Sequence, residues 1–145
     1  MIVSRMSCVE MYDNLVADRP KIEIKIEYLR SKAIKELKKA RKFPAVVTYK
    51  YKIPATLNEH IIYFYAESRY CAHKPIADSF FVLYENTRRY IFTYCKLGYI
   101  TENDFIPVKN INLYTRHFFE RYEERYLKDK SLTSNEIISL YLSRN

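Results

Sequence analysis

The sequence predicts an α+β fold with an N-terminal helix, a mostly antiparallel sheet of four to five strands and two C-terminal helices. Residues 20–42 carry apolar side chains at the spacing of a helix. From residue 45 to about residue 114, β-branched and aromatic residues dominate, and short turn clusters between them are typical of hairpins. Helical spacing returns after Thr115. A run of strands flanked by helices favours an α+β fold over parallel βαβ units.

The first helix is predicted over residues 20–42. Asp18 and Pro20 are typical of a helix start, with an Asp cap and a proline in the first turn. Residues 22–28 also alternate as a strand would, but the Ala, Leu, Lys and Glu residues that follow favour a helix. Pro44 ends the pattern. The chain length fits one domain over residues 1–145, with residues 1–17 as a candidate loose N-terminal segment.

The predicted strands differ in how many of their faces are apolar. The first alternates polar and apolar residues, as in a strand with one solvated face, whereas the second is apolar on both faces and therefore central. The third and fourth flank a turn cluster at residues 85–88, which indicates a hairpin. Residues 99–109 are expected to form a loop, with a short strand around residues 105–108. The predicted main strands are residues 47–53, 60–66, 79–84, 89–96 and 110–114.

The C-terminal part is predicted to form two helices. Thr115 is a candidate cap for the first, which carries a stripe of aromatic residues. Burying an aromatic side chain is favourable, and burying an unpaired guanidinium is costly. We therefore expect Phe118, Phe119 and Tyr122 to be buried, and Arg121 and Arg125 to stay at least partly exposed. Thr133 and Glu136 form a capping box before a short second helix over residues 134–143.

Composition excludes several classes of protein. One glycine in 145 residues excludes glycine-rich phosphate loops. Three cysteines without paired spacing argue against a disulfide framework, and no Cys/His set has zinc-ligand spacing, so neither a metal nor a cofactor is expected. Residues 1–16 lack the apolar core of a signal peptide, and the longest apolar runs are far shorter than the roughly 20 residues of a membrane span. We expect a cytoplasmic protein with no membrane partner.

His117, Arg121 and Arg125 form the most informative local pattern. Their spacing of four places them on one face of a single helix. A titratable imidazole beside two guanidinium groups could supply the base and the cationic donors that cleavage of RNA requires. We therefore take these three residues as candidate catalytic residues. The plainer alternative is an exposed helix face with weak Glu–Arg pairs.

The same pattern resembles a motif of known ribonuclease toxins. The run from His117 through Arg121 to Arg125, followed by the capped helix from Thr133, is similar to the His-Ala-x-x-Arg-x-x-x-Arg helix of RelE-superfamily and BrnT-like toxins. The resemblance covers about 30 of the 145 residues and implies a small antiparallel sheet with basic and His residues that cut RNA. In BrnT-like chains this helix precedes most of the sheet, whereas here it follows the strands.

A second candidate site lies at the end of the first predicted helix. Residues 21–42 hold nine basic and three acidic side chains, a net charge of +6 within a total of +8. Clustered positive charge on a helix can hold a phosphate backbone without reading its sequence. The alternative is a solvated helix face. The candidate nucleic-acid-binding residues are Lys35, Lys38, Lys39, Arg41 and Lys42.

These patterns lead to two functional hypotheses. The first is a small basic RNA-interacting protein, extended by the resemblance to a toxin-like endoribonuclease. The second is a non-catalytic domain that binds a protein partner or associates with itself through aromatic surfaces. The 15 tyrosines suit both, because tyrosine can stack on bases but is also a good strand former. Whether His117 and its two arginines line a concave basic surface distinguishes the hypotheses.

Overall fold

In this computed structural model, a five-stranded sheet lies between one long helix and two shorter helices. The structure describes residues 1–100 and 102–145, and the side chains of these except residues 94–100 and 105–108. It has the predicted α+β fold: an N-terminal helix, an antiparallel sheet and two C-terminal helices. The elements are α1 (Cys8–Lys38), β1 (Ala45–Lys52), β2 (Glu59–Ala66), β3 (Ile76–Glu85), β4 (Arg88–Ile100), β5 (Phe105–Thr115), α2 (Arg116–Tyr122) and α3 (Ser134–Arg144).

Helix α1 begins twelve residues earlier than predicted. Ser7 is its cap, with a hydroxyl that accepts a hydrogen bond from the Glu10 amide. The expectation that residues 1–17 form a loose segment is therefore wrong for residues 8–17, which are helical. Asp18 is not a cap but a buried residue in the middle of α1, and Pro20 lies inside the helix. Tertiary packing outweighs the cost of an internal proline, because apolar residues on both sides of Pro20 are buried.

The C-terminal end of α1 comes earlier than predicted. The helix ends at Lys38, and Lys39 is its C-cap. Arg41 and Lys42 therefore lie in the connection to β1 and not on the helix. The helix is confirmed for residues 20–38, and its lysines there are exposed or half-buried.

The five strands form a meander in which each strand pairs with its neighbours in sequence. The order is β1-β2-β3-β4-β5, and every pair is antiparallel. Alternate residues of β2 face opposite sides of the sheet. Ile62 and Phe64 pack against α1, whereas Ile61 and Tyr63 pack in the cluster that holds Phe119 and α3. The prediction that this strand is central and buried on both faces is confirmed.

Strands β3 and β4 separate part-way along their length. Their pairing runs from Phe81 with Phe92 to Glu85 with Arg88. Beyond Phe92, β4 continues in pairing with β5 as far as Ile100. The loop predicted over residues 99–109 is therefore largely strand, because continued pairing outweighs the local turn signals. Proline within that stretch is tolerated since β5 is an edge strand.

The chain after β5 lies on the face of the sheet opposite α1. Thr115 caps α2 as predicted, accepting a hydrogen bond from the Phe118 amide. A π-helical turn, Glu123–Leu127, follows directly and ends at Lys128, whose φ of 50° is left-handed. Helix α3 begins with the predicted capping box of Thr133 and Glu136. Within the described residues, we find no helix with both the length and the apolar character needed to cross a membrane.

Candidate nucleic-acid interface

His117, Arg121 and Arg125 lie on α2 and the π-helical turn, and all three are exposed. The His117 side chain is 70% exposed, and its Nε2 accepts a hydrogen bond of 2.9 Å from Arg121 Nε. Its Nδ1 lies 3.9 Å from a carboxylate oxygen of Glu120. Because Arg121 occupies the lone pair of Nε2, this nitrogen is not poised to accept a proton from a substrate.

The aromatic residues of α2 are not all buried as expected. Phe119 is 4% exposed and packs into the core, but Phe118 is 40% exposed and Tyr122 is half-buried. The expectation for Phe118 is wrong because a seven-residue helix can point only a narrow stripe at the sheet. Phe118 rests instead on the rings of Tyr114 and Tyr141, at centroid distances of 5.3 and 5.0 Å.

Side chains from α2, the π-helical turn and the end of α3 line what we call the aromatic groove, a concavity of about 750 Å³. Three guanidinium groups and four aromatic rings converge there, and Tyr126 is 73% exposed. Arg144 also donates to a carboxylate oxygen of Glu67 at 3.1 Å. Among the described residues, no Asp or Glu side chain lines the groove itself. The lining residues are Phe118, Arg121, Tyr122, Arg125, Tyr126, Tyr141, Arg144 and Asn145.

A second concavity, which we call the arginine groove, holds His117 apart from Arg125. It has a volume of about 680 Å³ and lies between the β3–β4 turn, the start of α2 and the start of α3. Arg88, Arg89 and Arg116 line it together with His117. The sequence analysis missed these three arginines. Only the pairing of Tyr90 with Thr115, which brings the start of β4 beside the start of α2, could have identified them.

A third concavity, which we call the lysine groove, lies between the α1–β1 connection and the C-terminal helices. It measures about 450 Å³, with Arg41 and Lys42 on one side and Tyr126 and Arg144 on the other, and Asp129 and Glu136 also line it. Lys42 is 3.2 Å from Asp129, and the pKa of that carboxyl is lowered to about 2, chiefly by hydrogen bonds from Ser131 and also by Lys42. Of the other candidates, Lys35, Lys38 and Lys39 are exposed but outside this groove.

The three grooves join into one surface, which we call the basic track. The hydrogen bond between His117 and Arg121 links the arginine groove to the aromatic groove. The aromatic and lysine grooves share Tyr126 and Arg144. Along α2 and the turn, the track extends about 15 Å, at about 1.5 Å per helical residue. The fold thus brings Arg41 and Lys42 to the same surface as Arg121 and Arg125, which are about 80 residues away in sequence.

The most deeply buried ionisable residues lie elsewhere, between α1 and the sheet. Asp18 and His60 are both buried, and His60 Nε2 lies 2.9 Å from Asp18 Oδ2. Asn58 donates to the same oxygen at 2.8 Å. Burial lowers the pKa of His60, and Asp18 only partly opposes this effect. The sequence analysis missed this network because Asp18 has the features of a helix cap.

Comparisons with protein families, with curated proteins and with solved structures find no match for this chain. The resemblance to RelE-superfamily and BrnT-like toxins therefore remains a prediction from sequence. Within the described part of the chain, no group of three or more His, Cys, Asp or Glu side chains is arranged to hold a metal ion.

Proposed function

We propose that this protein binds single-stranded nucleic acid, foremost RNA, along the basic track. The observation that carries the proposal is the aromatic groove, in which Arg121, Arg125 and Arg144 surround four aromatic rings. Single-strand binders combine these two features, a cationic path for the backbone and rings on which bases stack. Stacking contributes about 1–3 kcal/mol per base, and it tolerates any base sequence.

The groove favours a single strand over a duplex. Tyr126 and Phe118 can stack only on bases whose faces are free, and a duplex hides those faces. The guanidinium groups of Arg121 and Arg125 present planar forks that match phosphate oxygens. The lysine groove extends the cationic path toward Arg41 and Lys42, with Asp129 already paired to Lys42.

Binding and cleavage are separate proposals here, and the geometry supports binding better. A general base must reach the proton that it removes, but His117 Nε2 is engaged by Arg121. Arg125, moreover, lines a different groove from His117. Cleavage by His117 stays a prediction from the sequence, and a comparison of RNA degradation by wild type and His117→Ala would test it.

The test of binding is a fluorescence anisotropy titration with a labelled 12-nucleotide uridine RNA at several salt concentrations. We expect log K to fall with log salt at a slope of about −2 to −4, because three to six phosphates are neutralised at about 0.7 per phosphate. The double variant Arg121→Glu with Arg125→Glu should weaken binding by at least about 100-fold, and Tyr126→Ala by about tenfold.

The matched control is Lys21→Glu with Lys32→Glu, which reverses two exposed charges on α1, across the sheet from the track. It should weaken binding by less than about threefold. Equal losses in both double variants would show a general charge effect and contradict the proposal. If wild type bound no RNA but associated with itself, and Tyr126→Ala abolished that self-association, the results would favour an interaction domain instead.

A further inference from the structure

We propose that the arginine groove binds a terminal phosphate group of the nucleic-acid strand, an inference that rests on the proposed function. Three guanidinium groups, from Arg88, Arg89 and Arg116, line a concavity of about 680 Å³ together with His117. No carboxylate lines it within the part of the chain whose side chains are described. Outside the lining residues, Glu120 accepts a hydrogen bond of 2.8 Å from Arg116 Nε. This pair leaves the terminal amino groups of Arg116 for another partner.

Arg89 is fixed in place before any ligand arrives. Its Nη1 donates to Ser134 Oγ at 3.1 Å, and its Nη2 donates to Asn135 Oδ1. Its Nε is buried and has no hydrogen-bond partner in the described structure. A buried charged donor without a partner is costly, and an anion in the groove would lower that cost. A guanidinium held this way loses little freedom on binding, which favours affinity.

The chemistry of the groove matches a phosphate end better than an internal phosphate. A phosphomonoester carries a charge of about −1.5 to −2 at pH 7, whereas each internal phosphodiester carries a single charge. Three guanidinium groups therefore favour the terminal group. The hydroxyl groups of Thr87 and Ser134 add neutral donors beside them.

The position of the groove also favours a strand end. It lies at one end of the basic track, where α2 begins, and the β3–β4 turn and the start of α3 form its other walls. His117 stands at the boundary, since it lines this groove and contacts Arg121 of the aromatic groove. A strand that stacks its bases in the aromatic groove could thus place its last phosphate against Arg88, Arg89 and Arg116.

Isothermal titration calorimetry with three unlabelled uridine octamers tests this inference. One octamer has a 5′-phosphate, one has a 3′-phosphate and one has hydroxyl groups at both ends. We expect one phosphorylated RNA to bind wild type about tenfold more tightly than the hydroxyl RNA, as a doubly charged group gains charge-assisted bonds. In Arg88→Gln with Arg116→Gln, both exposed positions, that preference should disappear, so that the phosphorylated and the hydroxyl RNA bind this variant with affinities that differ by less than about threefold.

The control Lys21→Gln with Lys32→Gln removes the same amount of charge and should keep the tenfold preference. If all three RNAs bind wild type equally and Arg121→Glu with Arg125→Glu abolishes binding, this inference is wrong and the proposed function stands. A preference that persists in the Arg88 and Arg116 variant also overturns it. If no RNA binds wild type, the proposed function fails and the inference fails with it.

Discussion

Asp18 connects three separate parts of the chain through its carboxylate. It accepts one hydrogen bond from Asn58, just before β2, and contacts the His60 ring on β2. Asn58 in turn accepts a hydrogen bond of 2.9 Å from the Ile2 amide, which fixes the N-terminal residues. A residue that resembles a surface cap in the sequence is thus a central polar contact of the fold. Sequence spacing could not show this, because the partners lie 40 or more residues away.

Removing the Asp18 carboxylate should be strongly destabilising. In Asp18→Ala, the Asn58 amide and the His60 ring lose their acceptor in a buried site, so we expect a loss of about 3 kcal/mol in the free energy of unfolding. Denaturant unfolding followed by circular dichroism measures it. The matched control is Asp13→Ala, because Asp13 is on the same helix as Asp18 but forms only an exposed ion pair, with Lys109 of β5. Its loss should cost less than about 1 kcal/mol. Similar losses of unfolding free energy in the two variants would contradict the importance of the buried Asp18 carboxylate for stability.

The lowered pKa of His60 predicts a pH dependence of stability. Unfolded His60 titrates near its ordinary value of about 6.5, whereas the folded residue stays neutral to lower pH. The unfolded state therefore binds more protons on acidification. The stabilisation is fully present above about pH 6.5 and is lost as the pH falls toward the lowered folded pKa.

Unfolding free energies measured between pH 7.5 and pH 5.5 test this prediction. The decline over that interval should be smaller in His60→Gln than in wild type, even if the variant is less stable throughout. His117→Gln removes an exposed imidazole and should keep the wild-type decline. An identical pH profile for wild type and His60→Gln would show that another group causes it.

In α2, the amphipathic pattern predicted which side chains face the core but not the length of the helix. The spacing correctly placed Phe119 toward the core and Arg121 and Arg125 outward. It could not show that the helix is only seven residues long and continues as a π-helical turn, which changes the number of residues per turn. Phe118 consequently lies at the margin of the buried stripe.

Alanine substitutions at the two neighbouring phenylalanines should differ clearly in their cost. Phe119→Ala should lower the unfolding free energy by about 3–5 kcal/mol, because its ring is buried against Ile61, Phe80 and Ile138. Phe118→Ala should cost about 1 kcal/mol, since that ring is 40% exposed. Chemical denaturation of both variants gives the values. A larger loss of unfolding free energy at Phe118 would mean that α2 is rotated so that Phe118, and not Phe119, faces the core.

The basic side chains of distant segments meet on one surface, where Arg41 and Lys42 join Arg121 and Arg125. The sequence identified Arg41 and Lys42 and the pattern formed by His117, Arg121 and Arg125. It did not show that Tyr126 and Arg144 connect them. It also missed Arg88 and Arg89, because strand register and not local spacing brings them to α2. Residue types and periodicity could predict the elements and the exposed charges. Which charges meet depends on contacts between distant parts of the chain.

Charge reversal at the two clusters should weaken RNA binding to different extents. Lys35, Lys38 and Lys39 are exposed but lie outside the grooves, so changing all three to Glu should act only at long range. We expect a loss of about tenfold in 0.1 M salt, where the Debye length is about 10 Å. Arg121→Glu with Arg125→Glu should cost at least tenfold more. If the lysine variant proves the weaker binder in anisotropy titrations, the end of α1 and not α2 is the main contact.

The meander order of the strands has a consequence for how the chain folds during synthesis. Each strand pairs with the one made just before it, so the sheet can grow by successive hairpins with low contact order. The first half of α1 differs, because Met11 and Leu15 pack against Phe81 and Phe92, far along the chain. This part of the helix has no complete apolar partner until β4 leaves the ribosome. The first half of α1 can therefore complete its apolar packing only after β4 has been made, whereas its second half already has apolar partners in β2.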